Sequence, residues 1–170
     1  MDLSAYLRSI ADFPKPGISF KDISPLLANP EAYRYAVHLF CDATKASGAN
    51  AVIGIESRGF LFAAPVAISL SLPLILVRKP GKLPAETTGV EYALEYGQGR
   101  LEVHKDAIQS GHKVAIIDDV LATGGTSKAA AQLAKQLGGE VSLFAFLLEI
   151  VPLQGRGVLA NVAPVKAFLS

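Results

Sequence analysis

Residues 114–128, VAIIDDVLATGGTSK, constrain the fold more tightly than any other stretch. Val114-Ala115-Ile116-Ile117 is an apolar run too short for a helix and rich enough in β-branched residues for a buried strand. Asp118 and Asp119 fall where that strand is expected to end. Thr123-Gly124-Gly125-Thr126 follows as a small-residue turn, and a helical pattern begins at Ser127 and runs to Leu137. In an open parallel sheet, ligands bind beyond the carboxyl ends of the strands. A glycine turn feeding a helix start presents unpaired N–H groups and a positive dipole end, which suits a phosphate. Thr123 and Thr126 add hydroxyl donors. Carboxylates repel phosphate, so Asp118 and Asp119 are expected to face sugar hydroxyls or a divalent cation instead. A phosphorylated sugar accounts for both halves of the stretch. No G-x-x-x-x-G-K-[ST] or G-x-G-x-x-G spacing occurs, which excludes those two phosphate-binding motifs.

The rest of the chain repeats this plan. Residues 51–55 (AVIGI) read as a buried strand, Glu56-Ser57-Arg58-Gly59 as a polar turn, and residues 60–70 as an apolar helix. Residues 73–77 read as a third strand, and Arg78, Lys79 and Lys82 cluster at its end. Residues 141–150 form another buried strand, 152–157 a loop, and 162–169 a final edge strand. Asn29-Pro30-Glu31 is a helix start, with a capping side chain before a first-position proline, and that helix is expected to reach Ala46. Leu3, Tyr6, Leu7 and Ile10 fall at helical spacing and predict a short N-terminal helix. Residues 83–99 form a long, polar, glycine-containing segment, in which 90–96 is able to pair as a ribbon with 100–104. Strands alternating with helices imply a mostly parallel α/β sheet flanked by helices.

The chain has 170 residues, 51% hydrophobic and 18% charged, with a net charge of +1. That is one domain's length, without the broad basic field of a nucleic-acid binder. One cysteine, Cys41, leaves no internal disulfide and points to a reducing compartment. There is no basic start with an apolar leader, and no apolar run approaches the ~20 residues of a membrane span. The expectation is a soluble, cytoplasmic protein that engages neither nucleic acid nor membrane.

VAIIDDVLATGGT resembles the signature for phosphoribosyl diphosphate (PRPP) of the type I phosphoribosyltransferases, and its DDxLATGGT form is similar to that of the adenine phosphoribosyltransferases. The resemblance runs from FPKPG to LLEI and is weakest over the last twenty residues. It implies a type I phosphoribosyltransferase fold in a single domain, 1–170. Residues 1–28 would form a small N-terminal hood over the base, and 83–99 a mobile catalytic lid. Ala122, Thr123, Gly124, Gly125 and Thr126 would hold the 5′-phosphate, and Asp118 and Asp119 the ribose hydroxyls. Ser57, Arg58, Arg78, Lys79 and Lys82 would meet the pyrophosphate, with a cis peptide between Glu56 and Ser57. In FPKPGISFKDISP, Ser19 would offer backbone groups to adenine while Phe20 and Lys21 wall the pocket. In ALEYG, Glu95 would act as the acid near purine N7 and Tyr96 would shield the site, with Arg58 the third catalytic residue.

The reaction implied is adenine plus PRPP giving AMP and pyrophosphate. It would use Mg²⁺ carried by PRPP, with no direct protein ligand, and the enzyme would be a homodimer. Enzymes for 6-oxopurines usually carry Asp at the position of Ala122, which favours adenine. The alternatives are another purine phosphoribosyltransferase, for instance one acting on xanthine, and a non-catalytic PRPP-sensing regulator.

Overall fold

The computed structural model describes residues 1–13, 15–17, 19–93 and 98–170. Leu3–Tyr6 is a turn of 3₁₀ helix whose start is capped by the Asp2 carboxylate, which accepts from the Ser4 N–H. Strands β1 (Arg8–Ile10) and β2 (Phe20–Asp22) pair antiparallel, with Ile10 opposite Phe20. The helix expected over residues 3–10 is therefore half realised. Leu7 leaves it in an extended conformation, because pairing with β2 satisfies more backbone groups than one more turn would. Helix α1 (Ser24–Ala28) leads to α2 (Pro30–Ala46). The α2 start is as the sequence predicts: the Asn29 side chain accepts from the N–H groups of Glu31 and Ala32. Its buried seam is Ala32, Ala36, Phe40, Cys41 and Thr44, so Tyr33, Val37 and Ala43 flank that seam and are only half-buried.

The central elements follow in order: β3 (Ala51–Ile55), α3 (Gly59–Leu70) and β4 (Leu74–Val77). The antiparallel pair β5 (Thr87–Ala93) and β6 (Gln98–His104) comes next. After it run β7 (Lys113–Leu121), α4 (Gly125–Gln136) and β8 (Glu140–Glu149). A 3₁₀ turn (Val151–Leu153) and a short α5 (Gly155–Leu159) occupy the stretch read from sequence as a loop, and β9 (Val165–Leu169) closes the chain.

Five strands form one all-parallel sheet in the order β4-β3-β7-β8-β9. Side chains alternate between its two faces, as a period of two requires. Val114 and Ile116 of β7 join Phe144 and Phe146 of β8 on the α4 face. Ala115 and Ile117 join Leu143, Ala145 and Leu147 on the face covered by α2 and α3. Both faces being covered explains why the strands read as continuous apolar runs rather than alternating ones. After β3 the chain moves outward to β4, and after β7 it moves the other way to β8. The two adjacent strands thus send their following helices to opposite faces, which opens a crevice beyond their carboxyl ends.

Candidate active site

The cleft in that crevice measures about 660 Å³. Ser19, Phe20 and Lys21 of the hood, Ser57 and Arg58 after β3, Lys79 after β4, and Asp118, Asp119, Ala122 and Thr126 of the β7–α4 stretch all line it. Ten residues singled out by sequence thus converge from four separate segments. Glu56, Tyr92 and Val120, from the same singled-out stretches, line it too, as does Ile150 at the end of the last apolar strand run.

Asp118 and Asp119 lie inside β7 rather than beyond it, a correction to the sequence reading. Pairing of β7 with β3 stops at Ile117 opposite Gly54, but pairing with β8 continues to Leu121 opposite Glu149. The longer neighbour extends the strand past both carboxylates and holds their backbone by ladder bonds on one side. Asp119 is 4% exposed, and its N–H donates to Asp118 Oδ1 at 2.9 Å. Burial pushes the Asp118 carboxyl well above the usual range, and the neighbouring Asp119 charge pushes it further. Burial raises Asp119 as well, while the Arg58 guanidinium pulls it back down. Arg58 Nε lies 2.8 Å from Asp119 Oδ2, a close ion pair whose alignment is not that of a hydrogen bond. Asp119 Oδ2 is thus a buried acceptor without a hydrogen-bond partner among the described residues. Such an atom is expensive unless a ligand donates to it.

Gly59 brings α3 against this pair: a methyl carbon built there would lie 2.9 Å from Asp118 Oδ1 and 2.8 Å from the Ile117 carbonyl oxygen. The Glu56–Ser57 peptide is cis, where the resemblance implied it. Glu56 Oε2 accepts from the Lys79 N–H at 2.9 Å and from Arg78 Nε at 3.2 Å, which ties the end of β4 to the end of β3. Arg78 also donates to the Lys82 carbonyl at 3.0 Å. Of the three expected cations at this strand end, Lys79 lines the cleft, while Arg78 is engaged in fastening the turn and Lys82 lies outside the lining.

The phosphate-type turn is built as its sequence suggests. Gly124 has φ +81°, a conformation that side chains resist, and it opens α4 with no side-chain cap. The first N–H groups of that twelve-residue helix are left for a ligand. Thr123, Gly124 and Gly125 contribute to the turn itself, and Ala122 and Thr126 border the cleft on either side of it.

Across the cleft, the Arg58 guanidinium lies 5.3 Å from the centre of the Phe20 ring, which also meets Phe13 edge-on at 5.2 Å. Arg58 therefore touches both the acidic pair and the hood. Lys21 Nζ donates to Ser9 Oγ at 2.7 Å, so the lysine knits the two hood strands together. Glu95 and Tyr96 lie outside the described residues. Ala93 ends β5 with its carbonyl oxygen 3.3 Å from where a methyl on Gly125 would stand, so the end of β5 lies beside the start of α4.

The model for the phosphoribosyl transferase domain matches residues 24–150. The chain is 48% identical over 170 residues to the adenine phosphoribosyltransferase of Gloeobacter violaceus, covering 100% of this chain and 99% of that one. A crystal structure of adenine phosphoribosyltransferase from Thermoanaerobacter pseudethanolicus superposes with a TM-score of 0.95 at 45% identity, covering 99% of this chain and 97% of that one. The Saccharomyces cerevisiae adenine phosphoribosyltransferase, solved with an imino-altritol bisphosphate and adenine, gives 0.92 at 36% identity over 98% of this chain and 96% of that one. A matched model over most of the chain, full-length identity near one half and a shared fold leave one conclusion: the chain belongs to the phosphoribosyltransferase family, among its adenine phosphoribosyltransferases.

Proposed function

We propose that this protein salvages adenine by moving the 5-phosphoribosyl group of PRPP onto purine N9, giving AMP and pyrophosphate. One observation carries the reading: a buried carboxylate oxygen on Asp119, ion-paired with Arg58 but accepting no hydrogen bond among the described residues, stands beside a helix-opening glycine turn at the switch point of the sheet. A ribose 5-phosphate needs acceptors for its hydroxyls and N–H donors for its phosphate, side by side. The yeast relative was solved with adenine and a bisphosphate ligand, a pair of the same kind.

In this reading residues 122–126 hold the 5′-phosphate by backbone N–H groups and threonine hydroxyls. Asp118 and Asp119 accept from the 2′- and 3′-hydroxyls, which sets C1′ beneath the hood. Phe20 stacks on the purine and Ser19 offers its backbone to the adenine edge. As the bond from C1′ to the diphosphate breaks, the N9 lone pair bonds to C1′ and the imidazole proton of the base passes from N7 to the Glu95 carboxylate, while the bond electrons leave with the diphosphate. Arg58, Ser57 and Lys79 face the departing diphosphate, where a guanidinium and an ammonium offset growing negative charge. Glu95 holds a proton near N7, and Tyr96 with residues 83–99 excludes water from a cationic ribose. Arg78 and Lys82 act at one remove, by shaping the turn that presents Lys79.

A divalent cation fits these residues as a guest of the substrate. The cleft offers two neighbouring carboxylates, while Glu56 is committed to Arg78 and Lys79. With both carboxylates accepting from ribose hydroxyls, a Mg²⁺ would take its shell from substrate oxygens and water, without a direct protein ligand. When bound it would supply charge neutralisation of the diphosphate. Exposed Leu61, Ile68, Leu74 and Leu76 on α3 and β4 support a homodimer. No described helix is long and apolar enough to cross a membrane, and a single buried thiol suits the cytoplasm.

The test is nucleotide formation from PRPP and Mg²⁺ with adenine, hypoxanthine, guanine and xanthine in separate reactions. AMP from adenine alone is expected. Turnover of a 6-oxopurine instead would keep the PRPP site and overturn the base assignment. Binding of PRPP without any turnover would favour a sensor of PRPP.

A further inference from the structure

The matched family region ends at residue 150, yet the phosphate turn leans on the C-terminal segment beyond it. A methyl carbon built on Gly155 would lie 2.2 Å from the Ala122 carbonyl oxygen and 2.9 Å from the Gly124 nitrogen. In the reverse direction, a methyl carbon on Gly124 would lie 2.8 Å from the Gly155 carbonyl oxygen. Two backbones are therefore pressed together with only hydrogens between them, and one of them is the turn read above as the 5′-phosphate holder. A methyl at either glycine would fall on the steep repulsive side of van der Waals packing, so the two backbones would have to part to admit it.

Gly155 is itself held firmly. It is buried, and it opens α5 directly after Gln154, whose φ of +54° reverses the chain. The next residue, Arg156, forms a fork onto the Glu149 carboxylate, with Nε 3.2 Å from Oε1 and 3.0 Å from Oε2 and Nη2 also donating to Oε2, and its Nη1 donates to the Val165 carbonyl at 2.7 Å. Glu149 is 8% exposed, and it ends β8 opposite Leu121, the residue before the phosphate turn. The Ile150 N–H donates to the Leu121 carbonyl at 2.8 Å. Sheet ladder, the ion pair on buried Glu149 and the glycine thus form one continuous path from the C-terminal segment to the back of residues 122–124.

We infer that Gly155 is a positioning residue for PRPP: its backbone is the floor that sets the conformation of residues 122–124, and the Glu149–Arg156 pair keeps that floor in place. The inference rests on the reading of those residues as the 5′-phosphate holder. It gives the C-terminal segment a part in substrate binding without touching substrate.

The experiment is steady-state kinetics of Gly155→Ala, with KM measured separately for PRPP and adenine, beside Gly157→Ala. Position 157 lies in the same short helix with open space around it. Gly155→Ala is expected to raise KM for PRPP about 10- to 100-fold, the range for displacing a positioned group by a fraction of an ångström to about 1 Å. Adenine KM is expected to stay within about twofold and Gly157→Ala at wild-type values for both. A purely structural glycine would lower the melting temperature and leave PRPP KM unchanged in the folded protein, which would overturn the inference. Should Gly155→Ala fail to fold, Arg156→Lys keeps the charge but loses the fork. An unchanged PRPP KM in that variant would overturn the inference, and a rise of about threefold confined to PRPP would support it. A wild-type chain that neither binds nor turns over PRPP would overturn the function reading, and the inference with it.

Discussion

Asp119 lies in the middle strand of a five-stranded sheet, with a helix packed on each face and β8 paired along its full length. Phe20, on the other side of the same cleft, lies in a three-residue strand of a two-stranded ribbon, and neither strand has a buried residue. The strand-end half, proposed above for the sugar phosphate, is fixed by burial and by backbone contact with Gly155. The half proposed for the base is fixed by exposed pairs: Arg8 on Asp22, Lys21 on Ser9, and Arg58 over Phe20. Exposed pairs contribute little each, so the hood is the adjustable half and the strand end the rigid one. This suits a site in which the sugar phosphate needs a fixed C1′ and the base must enter beneath a cover. Arg58 touches both halves, through Asp119 and through the Phe20 ring.

The contrast breaks most visibly at the chemistry. Glu95→Gln is expected to lower turnover by about 10²-fold or more, the lower range of acid catalysis, with PRPP affinity unchanged by calorimetry. A variant at full turnover would remove Glu95 from the mechanism. Next in size, Asp119→Asn should lower kcat/KM for PRPP about 100-fold, the worth of a charged hydrogen bond in a buried site. Adenine KM should barely move, and an equal loss for both substrates would dissolve the distinction between the halves.

Asp118 sharpens the rigid side through pH. Its carboxyl titrates above the unfolded value of 3.8 because burial and Asp119 oppose its charge. Folding therefore favours its protonated form. The resulting cost is absent below the unfolded value, grows as pH rises toward the folded one, and is complete above it. Asp118→Asn should then raise Tm at neutral pH by roughly 2–4 °C, equivalent to about 1 kcal/mol in a chain of this size, with the gain vanishing in acid. For the same reason wild-type KM for PRPP should rise on acidification, as the acceptor for the ribose hydroxyl becomes protonated. The smallest effect belongs to the hood: Lys21→Met should raise adenine KM no more than about fivefold, the ceiling for an exposed polar contact.

The rigid half is largely legible in the sequence, because its signals are local. A β-branched run, two acids, a glycine turn and a helix start lie within fifteen consecutive residues. The features that the sequence obscures depend on distant partners. Leu3, Tyr6, Leu7 and Ile10 keep helical spacing, but Arg8–Ile10 pairs with Phe20–Asp22, a strand well beyond it in the chain. Asp118 and Asp119 read as the residues after a strand because the local apolar run stops, whereas the length of β8 carries the strand past them. Gly155 and Arg156 read as loop residues, since their meaning comes from Glu149, Ala122 and Gly124, brought close only by the sheet. Arg78 reads as free for pyrophosphate, and no spacing rule shows that Glu56 takes it.

The most direct test of the two-part site is a calorimetric titration of PRPP with Mg²⁺ into Phe20→Ala, paired with the adenine KM of the same variant. PRPP affinity is expected within about twofold of wild type and adenine KM raised about tenfold or more, in keeping with the worth of stacking on a base. A PRPP affinity that falls as far as adenine binding would contradict the division, by showing that the hood and the strand end work as a single unit.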